Sequence, residues 1–155
     1  MGKLLSEIKQ SKPFASLEEE VFINIARTAE VLMWKESEFL KSYDITSAQY
    51  NVLRILRGAG AEGLICREIG ERMVTRDPDV TKLLDRLEAR GLLTRERQQA
   101  DRRVITVRIS QQGLKLLKEI DRPLQEMIKG LLSHLGAQRL QTLNELLEEA
   151  RERAG

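Results

Sequence analysis

The chain has 155 residues, 32% of them charged, 41% apolar and only 4% aromatic, with a net charge of +2. That length suits one ordinary domain, or a small lobe with helical extensions, and leaves no room for a second catalytic domain. No apolar run approaches a membrane span, the N-terminus lacks the apolar core of a secretory leader, and one cysteine, Cys66, forbids an internal disulfide and fits a reducing cytoplasm.

The charge is unevenly placed. Residues 46–110 carry 13 Lys/Arg against 9 Asp/Glu, a net +4, whereas residues 1–45 carry 6 against 8 and residues 111–155 carry 7 against 7. Positive charge therefore gathers in the middle of the chain; a modest +4 suits a polyanionic partner and equally a solvated mixed surface.

In chain order, Leu4, Leu5 and Ile8 predict a short helical arm that Pro13 interrupts; Met1 to Ser6 also has the spacing of a lipidation signal, too short a pattern to weigh. Ser16 and Glu19 form a capping-box pattern. After it Leu17, Val21, Ile25, Ala29, Leu32 and Met33 trace the apolar stripe of a long helix that continues to Phe39 and Leu40. Thr46 and Gln49 repeat the capping signal, with Ile45 and Tyr50 spaced as a hydrophobic staple, and Leu53 and Leu56 continue the stripe. The glycines at 58, 60 and 63 end that helix, and Leu64-Ile65 predicts a very short strand. Ile65, Cys66, Ile69 and Met73 then supply one face of a third helix.

Asp77 and Pro78 predict a helix start, Asp77 as cap and Pro78 at the first position, where no amide partner is needed. Val80, Leu83, Leu84 and Leu87 form its apolar face; Thr75, Pro78, Lys82, Asp85, Arg86 and Ala89 fall on or near the opposite one. Gly91 is placed to end the helix in a left-handed conformation. Leu92 to Arg95 and Val104 to Ile109 read as two strands joined by a polar tip containing QQADRR. Beyond Ser110, a leucine stripe from Leu114 to Leu132, with Pro123 expected to kink or break it, precedes a turn at Gly136. A last helix carries Leu140, Leu143, Leu146, Leu147 and Ala150. Leucine-rich helices at both ends expose more apolar surface than one lobe can cover, and a second copy is the simplest cover.

Helix, turn, helix and hairpin in that order is a winged helix-turn-helix pattern. Residues 45–120, through ITSAQYNVLRIL, CREIGERM, VTKLLDRLEARGLLTRE, DRRVITVRIS and QQGLKLLKEI, resemble the multiple antibiotic resistance regulator (MarR) family of bacterial winged-helix transcription factors. The expected fold is mainly α with a small β-hairpin wing: a DNA-binding lobe over residues 46–110 and dimerisation helices over 1–45 and 111–155. The resemblance implies a homodimer with interleaved terminal helices that sets two lobes on a pseudo-palindromic DNA operator. It further implies a repressor whose DNA binding responds to a small aromatic effector.

On this reading Lys82 and Arg86 enter a major groove, Lys82 being the better candidate for a base edge. Thr75, Arg76 and Thr81 lie at the helix start or flank, where hydroxyls, a guanidinium and free amides hold phosphates. Asp79 has two readings: acceptor from a cytosine amino group, or an acid stabilised by the helix dipole. By resemblance Arg103 is the wing-tip residue that reaches into a minor groove, and Asp101 is the acid that holds it. Arg102 either touches the DNA backbone or helps at the tip. Arg95 and Arg97 either meet phosphates or form the solvent side of the hairpin. By resemblance, Met33, Trp34, Phe39, Tyr43 and Tyr50 border an effector crevice, with core packing as the preferred alternative.

Catalytic chemistry is not expected. His134 has no metal-ligand partner at a recognised spacing, no GxSxG motif occurs, and the glycines at 58, 60 and 63 lack the Lys-Ser/Thr ending of a phosphate loop. No cofactor is implied. Cys66 reads as a packed apolar residue, with a redox-sensing thiol as the competing view. A winged-helix module that binds protein instead of DNA is the other alternative, against which Arg76, Lys82, Arg86, Arg102 and Arg103 stand.

Overall fold

The computed structural model describes residues 2–155; Met1, the first position of the lipidation-like pattern, lies outside them. A single turn, α1 (Leu4–Glu7), precedes α2 (Leu17–Leu40). Ser16 Oγ accepts from the Glu19 amide at 3.1 Å, and Glu18, Glu19 and Glu20 sit at the positive end of α2. At α3 (Ser47–Ala59) the cap is reciprocal: the Gln49 amide donates to Thr46 Oγ1 and the Thr46 amide to Gln49 Oε1, each at 3.1 Å. Then follow α4 (Cys66–Arg72) and α5 (Val80–Ala89), and Gly91, at φ +72°, turns the chain into the wing.

The wing pairs β1 (Leu93–Arg97) antiparallel with β2 (Ile105–Ile109), Leu93 opposite Ile109 and Arg97 opposite Ile105. The strand expected at Leu64-Ile65 is a single bridge, Leu64 to Val107, made by hydrogen bonds of 3.0 and 2.7 Å. The chain ends with α6 (Gln111–Leu132) and α7 (Ala137–Glu152). Pro123 lies inside α6 without breaking it. None of the helices among the described residues is long and apolar enough to cross a membrane.

The core extends beyond residues 46–110. Leu40 from the end of α2 and Leu117, Ile120 and Leu124 from α6 are buried in the same cluster as Leu53, Leu56, Ile69, Leu84, Leu87 and Val107. The last turn of α2 and the first half of α6 therefore cover the apolar faces of α3 and α5.

Several apolar side chains of the terminal helices are left uncovered. Leu17, Val21, Phe22 and Ile25 on α2 and Leu143 and Leu146 on α7 are exposed, Phe22 by 75%, and α7 buries none of its residues. Core packing holds for Tyr50, which is buried, and for Phe39 and Tyr43, which pack against the core with ring centroids 5.8 Å apart. It fails for Met33, which is 42% exposed, and for Trp34, which is 54% exposed.

Candidate nucleic-acid interface

The turn leading into α5 is built from acceptor side chains. Asn51, on α3, takes the Val74 amide at 2.8 Å; Asp77 Oδ1 takes the Asp79 amide at 2.8 Å; Asp79 Oδ1 takes the Lys82 amide at 3.0 Å. The helix therefore starts two residues later than Pro78 predicts. Asp77 folds a local turn, a competing use of short acidic side chains, and leaves the cap to Asp79. One oxygen of Asp79 is thereby committed to the helix end, in keeping with a structural role for that acid.

Leu84 and Leu87 are buried, Val80 and Leu83 half-buried, and the opposite face carries Pro78, Thr81, Lys82, Asp85, Arg86 and Ala89 exposed. Thr75 and Arg76 are exposed in the preceding turn. Among the described residues, Arg76, Lys82, Arg86 and Arg102 form no ion pair. Cys66 is half-buried between α4 and α5, its Sγ 3.8 Å from Thr81 Oγ1.

At the wing tip, Asp101 Oδ1 accepts from the Arg103 amide at 3.1 Å and from Arg103 Nε at 3.3 Å, while the Arg103 side chain stays 91% exposed. The carboxylate thus restrains the guanidinium without burying it. Arg97 donates to the Arg102 carbonyl at 2.7 Å and Gln98 to Thr106 Oγ1 at 2.9 Å, which closes the tip from inside.

Arg95 departs from both readings of the sequence. Its side chain is only 23% exposed, and its Nη2 lies 2.7 Å from Asp85 and 2.9 Å from Glu88, both on α5. The guanidinium is neither free for phosphate nor idle on a solvent face. These contacts hold the Glu88 carboxyl below its ordinary pKa, chiefly through the Arg95 hydrogen bond, and raise the pKa of Arg95.

A crevice of about 320 Å³ lies between α2, α3 and the turn before α5. Met33 and Tyr50 line it; Trp34, Phe39 and Tyr43 do not. Trp34 instead has the Lys35 ammonium 5.5 Å from its ring. Arg54, Asn51, Met73 and Arg76 complete the walls, with Arg54 stacked 5.9 Å from the Tyr50 ring. The i,i+4 spacing of Tyr50 and Arg54 was the one sequence signal for that pair. Burial raises the pKa of the Tyr50 phenol, and the Arg54 charge opposes the rise.

Residues 43–104 match the family described as MarR family. A crystal structure of a MarR transcription factor from Planctomyces limnophilus is 37% identical, covering 88% of this chain and 98% of that one, with a TM-score of 0.68. The chain belongs to the MarR family. This MarR protein is also similar to the HTH-type transcriptional regulator FarR of Neisseria gonorrhoeae, 27% identical over 88% of this chain and 92% of FarR. A crystal structure of the S. aureus MepR–DNA complex matches at 25% identity and a TM-score of 0.74, covering 83% of this chain and 95% of that one. The chain is a DNA-binding transcriptional regulator of the winged helix-turn-helix type.

Proposed function

We propose that this MarR protein acts as a cytoplasmic homodimer that binds two half-sites on one duplex, with α5 in successive major grooves and Arg103 in the flanking minor grooves. The observation that carries the reading is the pairing of an exposed α5 face, bearing Lys82 and Arg86, with a wing whose tip presents a restrained, solvent-facing Arg103. A helix fits the major groove, and a guanidinium suits the concentrated negative potential of a narrow minor groove. Thr75, Arg76, Thr81 and Arg102 are assigned to phosphates, and Arg97 to holding the tip. Arg95, paired with Asp85 and Glu88, makes no phosphate contact. The uncovered apolar side chains of α2 and α7 support a second copy as partner.

Repression follows where such a site overlaps a promoter, because a bound dimer excludes polymerase. The crevice supports effector control: its size lies at the lower end of small-ligand sites, and its wall includes the turn that starts α5. Its Met33 and Tyr50 surfaces and its two guanidinium groups suit a small aromatic molecule with an acidic substituent.

Sedimentation and mobility-shift titration test the dimer reading together. The chain should sediment as a dimer and shift a duplex with two inverted half-sites centred about one helical turn apart, roughly 34–36 Å, far more tightly than a duplex with one. A monomer, or equal affinity for both duplexes, would overturn it.

A further inference from the structure

Asp85 is an awkward residue for a helix that faces DNA. It stands on the outer side of α5 between Lys82 and Arg86, and Glu88 follows one turn on; both acids are exposed. Taken alone, α5 carries Lys82 and Arg86 against Asp85 and Glu88, no net charge. Two carboxylates beside a phosphate backbone would be repelled at a range where screening is incomplete.

Arg95 alters both the charge and the geometry. It projects from β1, reaches back to α5, and contacts Asp85 at 2.7 Å and Glu88 at 2.9 Å with one nitrogen. The cluster is then net positive. It also joins the second half of the recognition helix to the first strand of the wing, so the two DNA-facing elements hold one relative angle.

We infer that Arg95 is a positioning residue for DNA binding, one that touches no nucleotide and acts by neutralising Asp85 and Glu88 and fastening the wing to α5. This rests on α5 being the DNA-facing helix. The depressed pKa of the Glu88 carboxyl agrees with the pairing.

The two ways Arg95 could matter separate in a double-mutant cycle. The proteins are the parent, Arg95→Met, Asp85→Asn/Glu88→Gln, and the combined triple variant. The probe is a duplex selected from a random-sequence pool by the parent, titrated at several salt concentrations, with thermal unfolding of each protein recorded alongside. Arg95→Met should weaken binding about tenfold in the parent and less than about twofold in the background without acids, and the first loss should shrink as salt rises. Where the methionine variant does not fold, Arg95→Lys replaces it, with about a threefold loss expected in the parent background only.

Equal losses in both backgrounds would make Arg95 a direct phosphate contact and overturn the inference, and so would no loss in either. If the parent itself shifts no duplex, the reading of α5 falls and this inference with it. If the parent binds and only the cycle fails, the inference falls alone.

Discussion

Arg57 and Asp121 meet in a two-pronged ion pair, Nη1 to Oδ2 at 2.8 Å and Nη2 to Oδ1 at 3.1 Å, that ties α3 of the DNA-binding lobe to the middle of α6. They lie 64 residues apart in the chain. Each side chain is about one-third exposed, and the pKa of Arg57 is raised, chiefly by its hydrogen bonds to Asp121. A bidentate pair with part of its water removed contributes more than a loose surface pair, yet solvent still screens it.

Arg57→Ala should therefore lower the unfolding free energy by about 1 kcal/mol, with Asp121→Ala costing a similar amount and the double variant little more than either single. Urea denaturation of the four proteins checks this. Additive losses would mean that the pair contributes nothing as a pair.

Arg103→Ala should weaken binding to a duplex selected by the parent and reduce the slope of log affinity against log salt by about one unit per lost phosphate-equivalent contact. Asp101→Ala should weaken binding less, because the guanidinium survives and only its restraint is lost. A salt titration showing no change of slope for Arg103→Ala would remove the wing tip from the interface.

Lys82 and Arg102 should part company in a binding-site selection. Loss of a base-edge contact relaxes preference at particular positions, by about 1–3 kcal/mol of discrimination, whereas loss of a phosphate contact weakens all sequences alike. Lys82→Ala is expected to do the first and Arg102→Ala the second. Unaltered base preferences for Lys82→Ala would end its assignment as a base reader.

Gly113, in the first turn of α6, is expected to invert a familiar rule. Glycine to alanine inside a helix usually stabilises by roughly 0.5–1 kcal/mol. Here a Cβ would collide with the Leu92 carbonyl oxygen and lie 2.7 Å from Ile109 Cγ1, so α6 would have to lift off the base of the wing. Gly113→Ala should destabilise by about 1–3 kcal/mol, read as a lower urea midpoint; an increase would show that the contact yields freely.

The Glu88 carboxyl supplies a pH dependence with a definite sign. Its pKa in the folded chain lies below the ordinary 4.5. On acidification the unfolded chain takes up the proton first, so the pairing with Arg95 favours folding fully above pH 4.5. That contribution is lost as the pH falls through the depressed folded value. Arg95→Met removes the pairing at every pH. The stability gap between parent and variant should thus be present near neutral pH and narrow below about pH 4.5, measured as urea midpoints. A gap that stays constant into acid would show that Arg95 stabilises by packing instead.

Much of the fold could be read from local pattern. The reciprocal cap of Thr46 and Gln49, the buried Leu84 and Leu87 against exposed Lys82 and Arg86, and the left-handed Gly91 all depend on residues within a few positions of one another, where helix geometry dictates who meets whom. Even so, local pattern misplaced the start of α5, because Asp77 and Asp79 could each serve as cap and only the folded turn shows which one reaches the Lys82 amide.

The order of elements, the amphipathic face of α5, the hairpin and the leucine stripes of the terminal helices were determined by the sequence alone, since periodicity and spacing express short-range geometry; the pairing of Asp101 with Arg103 was implied by the family resemblance. Tertiary structure decided the rest. It took Arg95 away from the solvent, drew Leu40 and Leu117 into the core of the lobe, paired Arg57 with Asp121, and lined the crevice with Arg54 and Arg76 instead of Trp34. Such meetings depend on how helices cross, and chain spacing carries no record of that angle.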